Sequence, residues 1–208
     1  MRRVWVDPAA PQRDAIEEAA KWILAGRVVA IPTDTLYGLA VDPWSAVAVD
    51  ALFAAKDRPA ERAIPLIASD RAQVETAIGP LSPTAARLAD RGWPGPLTLV
   101  VPAPPALAAA VTGGTGTVGV RVPNHDVARA IARLAGRPIT ATSANLSGEP
   151  ATDDPDRVEA SLGDRIQMLV DVGRTAGGPP STIVDVTGAA PRLLRAGAVA
   201  WDEIERWL

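Results

Sequence analysis

The 208-residue sequence contains no cysteine and one histidine, His125. The first absence excludes disulfides, a thiol nucleophile, iron–sulfur clusters and zinc sites built on thiolates. The second excludes a centre built on several imidazoles. Aromatic residues are scarce: Tyr37 and Phe53 are alone of their kind, and the six tryptophans are scattered, as expected of residues packing the core or its rim. Lysine is rarer still, with only Lys21 and Lys56 among 21 basic residues. Neither sign of charge dominates. The net charge of −3 argues against a nucleic-acid coat or a polybasic membrane anchor. The long uncharged stretch over 92–120 is broken by Pro94, Pro96, Pro102, Pro104 and Pro105, so it cannot be a membrane helix. The start, MRRVWVDPAAPQRDAIEE, meets charge and proline before any apolar run, unlike a secretory leader. The cytoplasm is the expected compartment.

The length fits one domain over 1–208, able to bury roughly 70% of its unfolded surface without covalent staples. Helix and strand patterns alternate along it. Residues 14–25 place Ile16, Ala19, Ala20, Trp22 and Ile23 on one helical face, with Gly26 as the stop. Ser45 is set to cap a helix through Val49, Leu52 and Phe53 to Lys56. Ser82 and Pro83 open another through Leu88. Asn124 is expected to cap a helix over 125–134 that Gly136 ends, and 201–208 reads as a terminal helix. Apolar or β-branched runs at 28–31, 64–68, 97–101, 118–122, 139–142, 168–170, 182–186 and 193–194 read as strands. Such alternation predicts an α/β or α+β sheet covered by helices.

Five segments carry polar groups suited to binding. PTDTLYGLA (32–40) follows a strand, where α/β sheets bind ligands, and puts Thr33 and Thr35 on one side if extended. Taken alone it reads more readily as a polar turn with a capping Asp34. KDRP (56–59) sets Lys56 and Arg58 two residues apart at a helix end. In an extended exit they would form a fork for phosphate or carboxylate, although cations also suit helix C-termini for their own sake. ITATSANLSG (139–148) runs an apolar strand into Thr142, Ser143, Asn145, Ser147 and Gly148, either a phosphate cradle or an ordinary turn. No Walker motif is present. GGPPSTIVD (177–185) begins a strand at Ser181 and Thr182, with Arg195 following in LLRAG. TGTVGVRVPNH (115–125) puts Thr117, Gly119 and Arg121 on one strand face, opposite the core-facing Val118, Val120 and Val122. Arg121 on so small a face is a candidate anion contact. His125 reads as a helix-start residue rather than a base. Asp153, Asp154 and Asp156 read as a solvated helix N-terminus rather than a metal site.

These motifs, with PLIA after KDRP and WPGPLTLVV before VGVRVPNH, occur in an order that resembles the YrdC-like family of threonylcarbamoyl-AMP synthases over about residues 14–200. The resemblance implies a twisted, mostly mixed or antiparallel sheet flanked by helices around a deep, positively lined cavity. It implies a nucleotidyltransferase that turns L-threonine, bicarbonate or CO2, and ATP into threonylcarbamoyl-AMP and pyrophosphate. Mg2+ would bridge the ATP phosphates. The product would feed a downstream transferase complex that modifies a tRNA adenosine, with weak or indirect tRNA contact and no membrane. Lys56, Arg58, Ser143 and Asn145 are implied to hold ATP, with Thr117 and Arg195 on the nucleotide side. Lys56 and Arg58 would offset charge in the reaction. Thr35 and Arg121 would contact threonine, with Ser181 nearby. Ala141 and Leu36 are candidates for lining a pocket for its methyl group.

One departure stands out. Longer members carry a histidine near the threonine pocket where this chain has Ala68. They also carry a further C-terminal domain, so the chain resembles the short, single-domain branch. Two other readings compete with the synthase. One is an RNA-binding accessory module, which the net charge disfavours. The other is a carbamoyl-adenylating relative of hydrogenase maturation, which requires cysteines that are missing here.

Overall fold

Periodicity sets the first helix. In α1 (Arg13–Leu24) the residues Ala15, Ile16, Ala19, Ala20 and Ile23 are buried on one face. The chain leaves it at Gly26, whose φ of 77° suits a residue without a Cβ. The structure, a computed structural model, describes residues 1–57 and 63–208. Arg58 and Pro59 of the KDRP motif lie outside them.

In chain order the described elements are β1 (Arg2–Trp5), α1, β2 (Val29–Ile31), β3 (Gly38–Ala40), α2 (Ala46–Lys56), β4 (Leu66–Ile67), α3 (Arg71–Ile78), α4 (Pro83–Gly92), β5 (Leu97–Pro102), α5 (Ala109–Thr112), β6 (Thr117–Arg121), α6 (Asp126–Leu134), β7 (Ile139–Thr140), β8 (Thr142–Ser143), α7 (Pro155–Leu162), β9 (Met168–Asp171), β10 (Thr182–Asp185), β11 (Arg192–Arg195) and α8 (Trp201–Trp207). The expected mixed class is what folds, with the strands divided between two sheets. One runs β1-β9-β2-β3-β8 and the other β11-β10-β5-β6-β4-β7. Both sheets are mixed: in the first, β1-β9-β2 pair in parallel and β2-β3-β8 antiparallel, and in the second antiparallel and parallel pairs alternate. The buried apolar residues of helices and sheets form a continuous cluster.

The run over 139–142, expected as one strand, is split between the sheets. β7 pairs with β4 in the second sheet, and β8 pairs with β3 in the first. Ala141 lies at the crossing, its amide donating to the Pro65 carbonyl at 2.9 Å. Thr140 ties the seam: its hydroxyl accepts from the Val41 amide at 2.9 Å just beyond β3. A period-2 pattern is the same on either side of such a crossing, so the sequence did not reveal it.

Local capping followed side-chain chemistry in most places. Ser45 accepts from the Ala48 amide, Ser82 from the Ala85 amide and Asp154 from the Asp156 amide. Asn124 does not cap α6 as expected. The helix begins at Asp126 with His125 in the N-cap position, while the Asn124 amide donates to Asp34 at 3.1 Å. Trp5 also departs from expectation. It stands 61% exposed on edge strand β1, whereas Trp22, Trp44, Trp93, Trp201 and Trp207 pack against the core. β1 is held instead by Arg3, which bridges Asp156 of α7 and Asp171 of β9, each at 2.7 Å, and Glu159 at 2.6 Å. No helix among the described residues is long and apolar enough to cross a membrane.

Candidate active site

A pocket of about 430 Å³ opens at the seam between the sheets. The first sheet and its turns contribute Thr33, Thr35 and Ser143. The second contributes Thr98, Arg121 and Arg195, and Ser181 stands at the start of β10. Among the described lining residues the charged groups are the two arginines.

The turn between β2 and β3 presents Thr33 and Thr35 on the same side, their hydroxyls 3.1 Å apart. Thr33 spends its only proton on the Leu36 carbonyl at 2.7 Å. Thr35 must therefore donate to Thr33, which leaves lone pairs of Thr35 turned outward as acceptors. Tyr37 ends this turn wholly buried. Its phenol donates to the Gly173 carbonyl at 2.7 Å and accepts from the Val172 amide at 3.1 Å. Burial pushes its pKa far up, so it holds the two segments together rather than exchanging protons.

Arg121 ends β6, on the same strand face as Gly119, and both border the pocket. A Cβ at Gly119 would meet the Thr98 methyl at 3.1 Å, a tight contact. Arg121 is 7% exposed, and its guanidinium lies 3.2 Å from the Asp34 carboxylate. Those two facing atoms, Arg121 Nη1 and Asp34 Oδ1, nevertheless complete no hydrogen bond within the protein. The ion pair supplies charge balance and leaves donors for an incoming anion. Burial lowers the Arg121 pKa, Asp34 opposes that, and the positive charge of Arg195 reinforces it.

Ser181 lies between two partners. Its hydroxyl is 2.8 Å from that of Thr98 and accepts from Arg195 at 3.1 Å. Arg195 also donates to the Ser181 carbonyl, from Nη2 at 2.7 Å and Nε at 3.2 Å. Burial lowers the Arg195 pKa.

The expected nucleotide group is placed less uniformly. Ser143 borders the pocket, whereas Thr117, Asn145 and Lys56 are not part of its lining. Thr117 hydrogen bonds with Thr115 at 2.9 Å. Lys56 is almost fully buried. Its ammonium donates to the carbonyl of Ser143, to that of Asn145 at 2.6 Å, and to the Asn145 side-chain oxygen at 3.3 Å. Asn145 in turn donates to the Leu146 and Glu149 carbonyls at 2.9 and 2.6 Å. Lys56 and Asn145 thus hold the loop that presents Ser143 from behind. The chain leaves α2 through Asp57 in a left-handed conformation, φ 49°, not through the extended exit that the sequence suggested. Ala141 and Leu36 both border the pocket. Ala68 is buried, its amide donating to the Arg121 carbonyl at 2.9 Å. His125 lies behind the site, where burial lowers its pKa.

Two residues of the site were not singled out by sequence reasoning. Thr98 carried a signal, as the one polar residue in the run LTLVV. Asp34 was visible only as a turn residue, because its partner Arg121 is distant in sequence.

A family model for the Sua5/YciO/YrdC domain, described as telomere recombination, matches residues 21–197. The threonylcarbamoyl-AMP synthase of Pyrococcus abyssi is 39% identical over 199 residues, covering 93% of this chain and 58% of that protein. The chain thus spans little more than half the length of that relative. A putative threonylcarbamoyl-AMP synthase of Mycobacterium tuberculosis is 37% identical over 95% of this chain and 90% of its own length. The crystal structure of Pyrococcus abyssi Sua5 complexed with L-threonine superposes with a TM-score of 0.95 at 36% identity, over all of this chain and 61% of that one. The chain belongs to the Sua5/YciO/YrdC family.

Proposed function

We propose that this chain, as one YrdC-like domain, is a threonylcarbamoyl-AMP synthase acting on L-threonine, bicarbonate or CO2, and ATP. The observation that carries the reading is the convergence of Thr35, Arg121 and the neighbouring pair Ser181 and Arg195 on one pocket from three distant parts of the chain. The likeness to a relative crystallised with L-threonine supports it. The threonine carboxylate pairs with Arg121, whose buried Nη1 completes no hydrogen bond within the protein. Thr35 accepts from a donor of the amino acid, and Ala141 and Leu36 supply an apolar wall for its methyl. Ser143 and Arg195 face the nucleotide, and Arg58 and Thr117 contribute to binding it. Lys56 and Asn145 support the loop from beneath while Lys56 adds its charge.

The chemistry needs no enzyme nucleophile. The threonine amine attacks CO2 and gives up a proton, forming a carbamate. A carbamate oxygen attacks the α-phosphorus, the bond to the bridging oxygen breaks, and pyrophosphate leaves. The demands are positioning and neutralisation of phosphate charge, which arginines and a lysine meet. Mg2+ would arrive with the nucleotide. The described lining offers hydroxyls and arginines but no carboxylate, so the phosphates would be its ligands. The product would pass to a transferase acting on a tRNA adenosine, in the cytoplasm.

Pyrophosphate release, with threonine and bicarbonate omitted in turn, tests the reading. Release should require both and fall by about 10²–10³ in a Lys56→Ala, Arg58→Ala variant. No release from a folded, ATP-binding chain would contradict it and favour an accessory RNA-binding module.

A further inference from the structure

We infer that Thr98 is a positioning residue that fixes the Ser181 hydroxyl as a hydrogen-bond donor toward the amino-acid substrate. The inference deepens the synthase reading and rests on it.

A serine hydroxyl has one proton to give and two lone pairs to fill. At Ser181 one lone pair is taken by Arg195, which can only donate. The remaining question is the direction of the 2.8 Å contact with Thr98. Thr98 borders the pocket but is only 3% exposed, and among the described residues Ser181 is the one hydrogen-bond partner of its hydroxyl. Were Ser181 the donor, the Thr98 proton would have no partner in the protein and little access to water at the pocket wall, which costs about 1–3 kcal/mol. With Thr98 as donor, its proton is satisfied. Both lone pairs of Ser181 are then filled, from Thr98 and Arg195. The Ser181 proton has nowhere to go but the pocket.

The polarity is therefore set before any substrate arrives. Ser181 seeks an oxygen acceptor, such as the carboxylate of the amino acid or the oxygens of its carbamate, and is not placed to accept from the amine. Thr35 has the opposite polarity, because Thr33 takes its proton. A pocket with a donor at one hydroxyl and an acceptor at the other orients a zwitterionic amino acid in one sense. Packing keeps Thr98 in place: its methyl is held beside Gly119, where even a Cβ would crowd it.

The test compares Thr98→Val, which keeps the shape and removes the hydroxyl, with Thr98→Ser, which keeps the hydroxyl. Steady-state pyrophosphate release is measured against threonine and against ATP, beside Ser181→Ala and the Thr98→Val, Ser181→Ala pair. We expect Thr98→Val to raise the threonine KM about five- to tenfold, the scale of one hydrogen bond, with the ATP KM within twofold. Thr98→Ser should stay within twofold of the native chain. In the Ser181→Ala background Thr98→Val should add little, since it acts through Ser181. An unchanged threonine KM in Thr98→Val, equal damage in Thr98→Ser, or effects that multiply in the pair would overturn the inference alone. Failure of the native chain to release pyrophosphate with threonine would overturn the synthase reading and this inference together.

Discussion

Arg121 and Asp34 face each other 3.2 Å apart beside the pocket, both almost buried, without a completed hydrogen bond between them. Asp34 supplies the compensating charge that lets a guanidinium persist there, while its other oxygen is taken by the Asn124 amide. Replacing Asp34 by Ala would leave a buried, uncompensated cation at a cost of about 3–5 kcal/mol. Denaturant unfolding of Asp34→Ala should show a loss of that size, with the threonine KM raised more than the ATP KM. A stability within 1 kcal/mol of native would mean that solvent, not Asp34, compensates Arg121.

Lys56 has a supporting role as well as a charge. Its ammonium is bonded to the carbonyls of Ser143 and Asn145. Lys56→Met should strand those carbonyls and lower stability by about 2–4 kcal/mol, in addition to weakening ATP. Lys56→Arg should not rescue it, because a planar fork does not fit a site shaped for a compact ammonium. Calorimetric melting beside ATP titration measures both effects. Weakened ATP binding with unchanged melting would show that the loop does not depend on Lys56.

His125 makes stability depend on pH. Burial lowers its pKa in the fold, with Arg129 acting the same way and Asp34 and Asp126 opposing. The unfolded chain then binds a proton that the folded chain refuses, so stability falls as pH drops below about 6.5. His125→Gln should flatten the melting temperature against pH between about 6.5 and 5. An identical slope in native and variant proteins would assign that dependence to carboxylates instead.

Gly197 lies where any Cβ would crowd the Pro180 carbonyl and stand 2.6 Å from the Thr182 nitrogen. Those are backbone atoms on either side of Ser181 and cannot swing aside. Gly197→Ala should cost about 1–3 kcal/mol and raise the threonine KM by displacing Ser181. A folded variant with native stability and native threonine KM would show that this segment adjusts freely.

Much of this was legible in the sequence because it follows from local chemistry. The buried face of α1 and the caps at Ser45 and Ser82 depend on neighbours within one turn. The alternation that turns Arg121 away from Val118 and Val120 is a property of any strand. What was not legible depends on partners far along the chain. β1 carries two arginines and reads as polar, yet forms a strand because Arg3 finds three carboxylates on α7 and β9. β3 is three residues long and begins with Gly38, which offers no propensity to read. The short helix α3 buries Val74 as its one core residue and so leaves little periodic signal. The same limit applied within the site. Ser181 was found through its motif, but the hydroxyl that orients it belongs to Thr98, 83 residues away.

The most direct measurement is incorporation of labelled bicarbonate into a nucleotide by the purified native chain, followed by chromatography against authentic threonylcarbamoyl-AMP. The account predicts one labelled product that requires both L-threonine and ATP, forms in step with pyrophosphate, and is lost when Lys56 and Arg58 are replaced together. Pyrophosphate without labelled nucleotide, or label that enters without threonine, would contradict it.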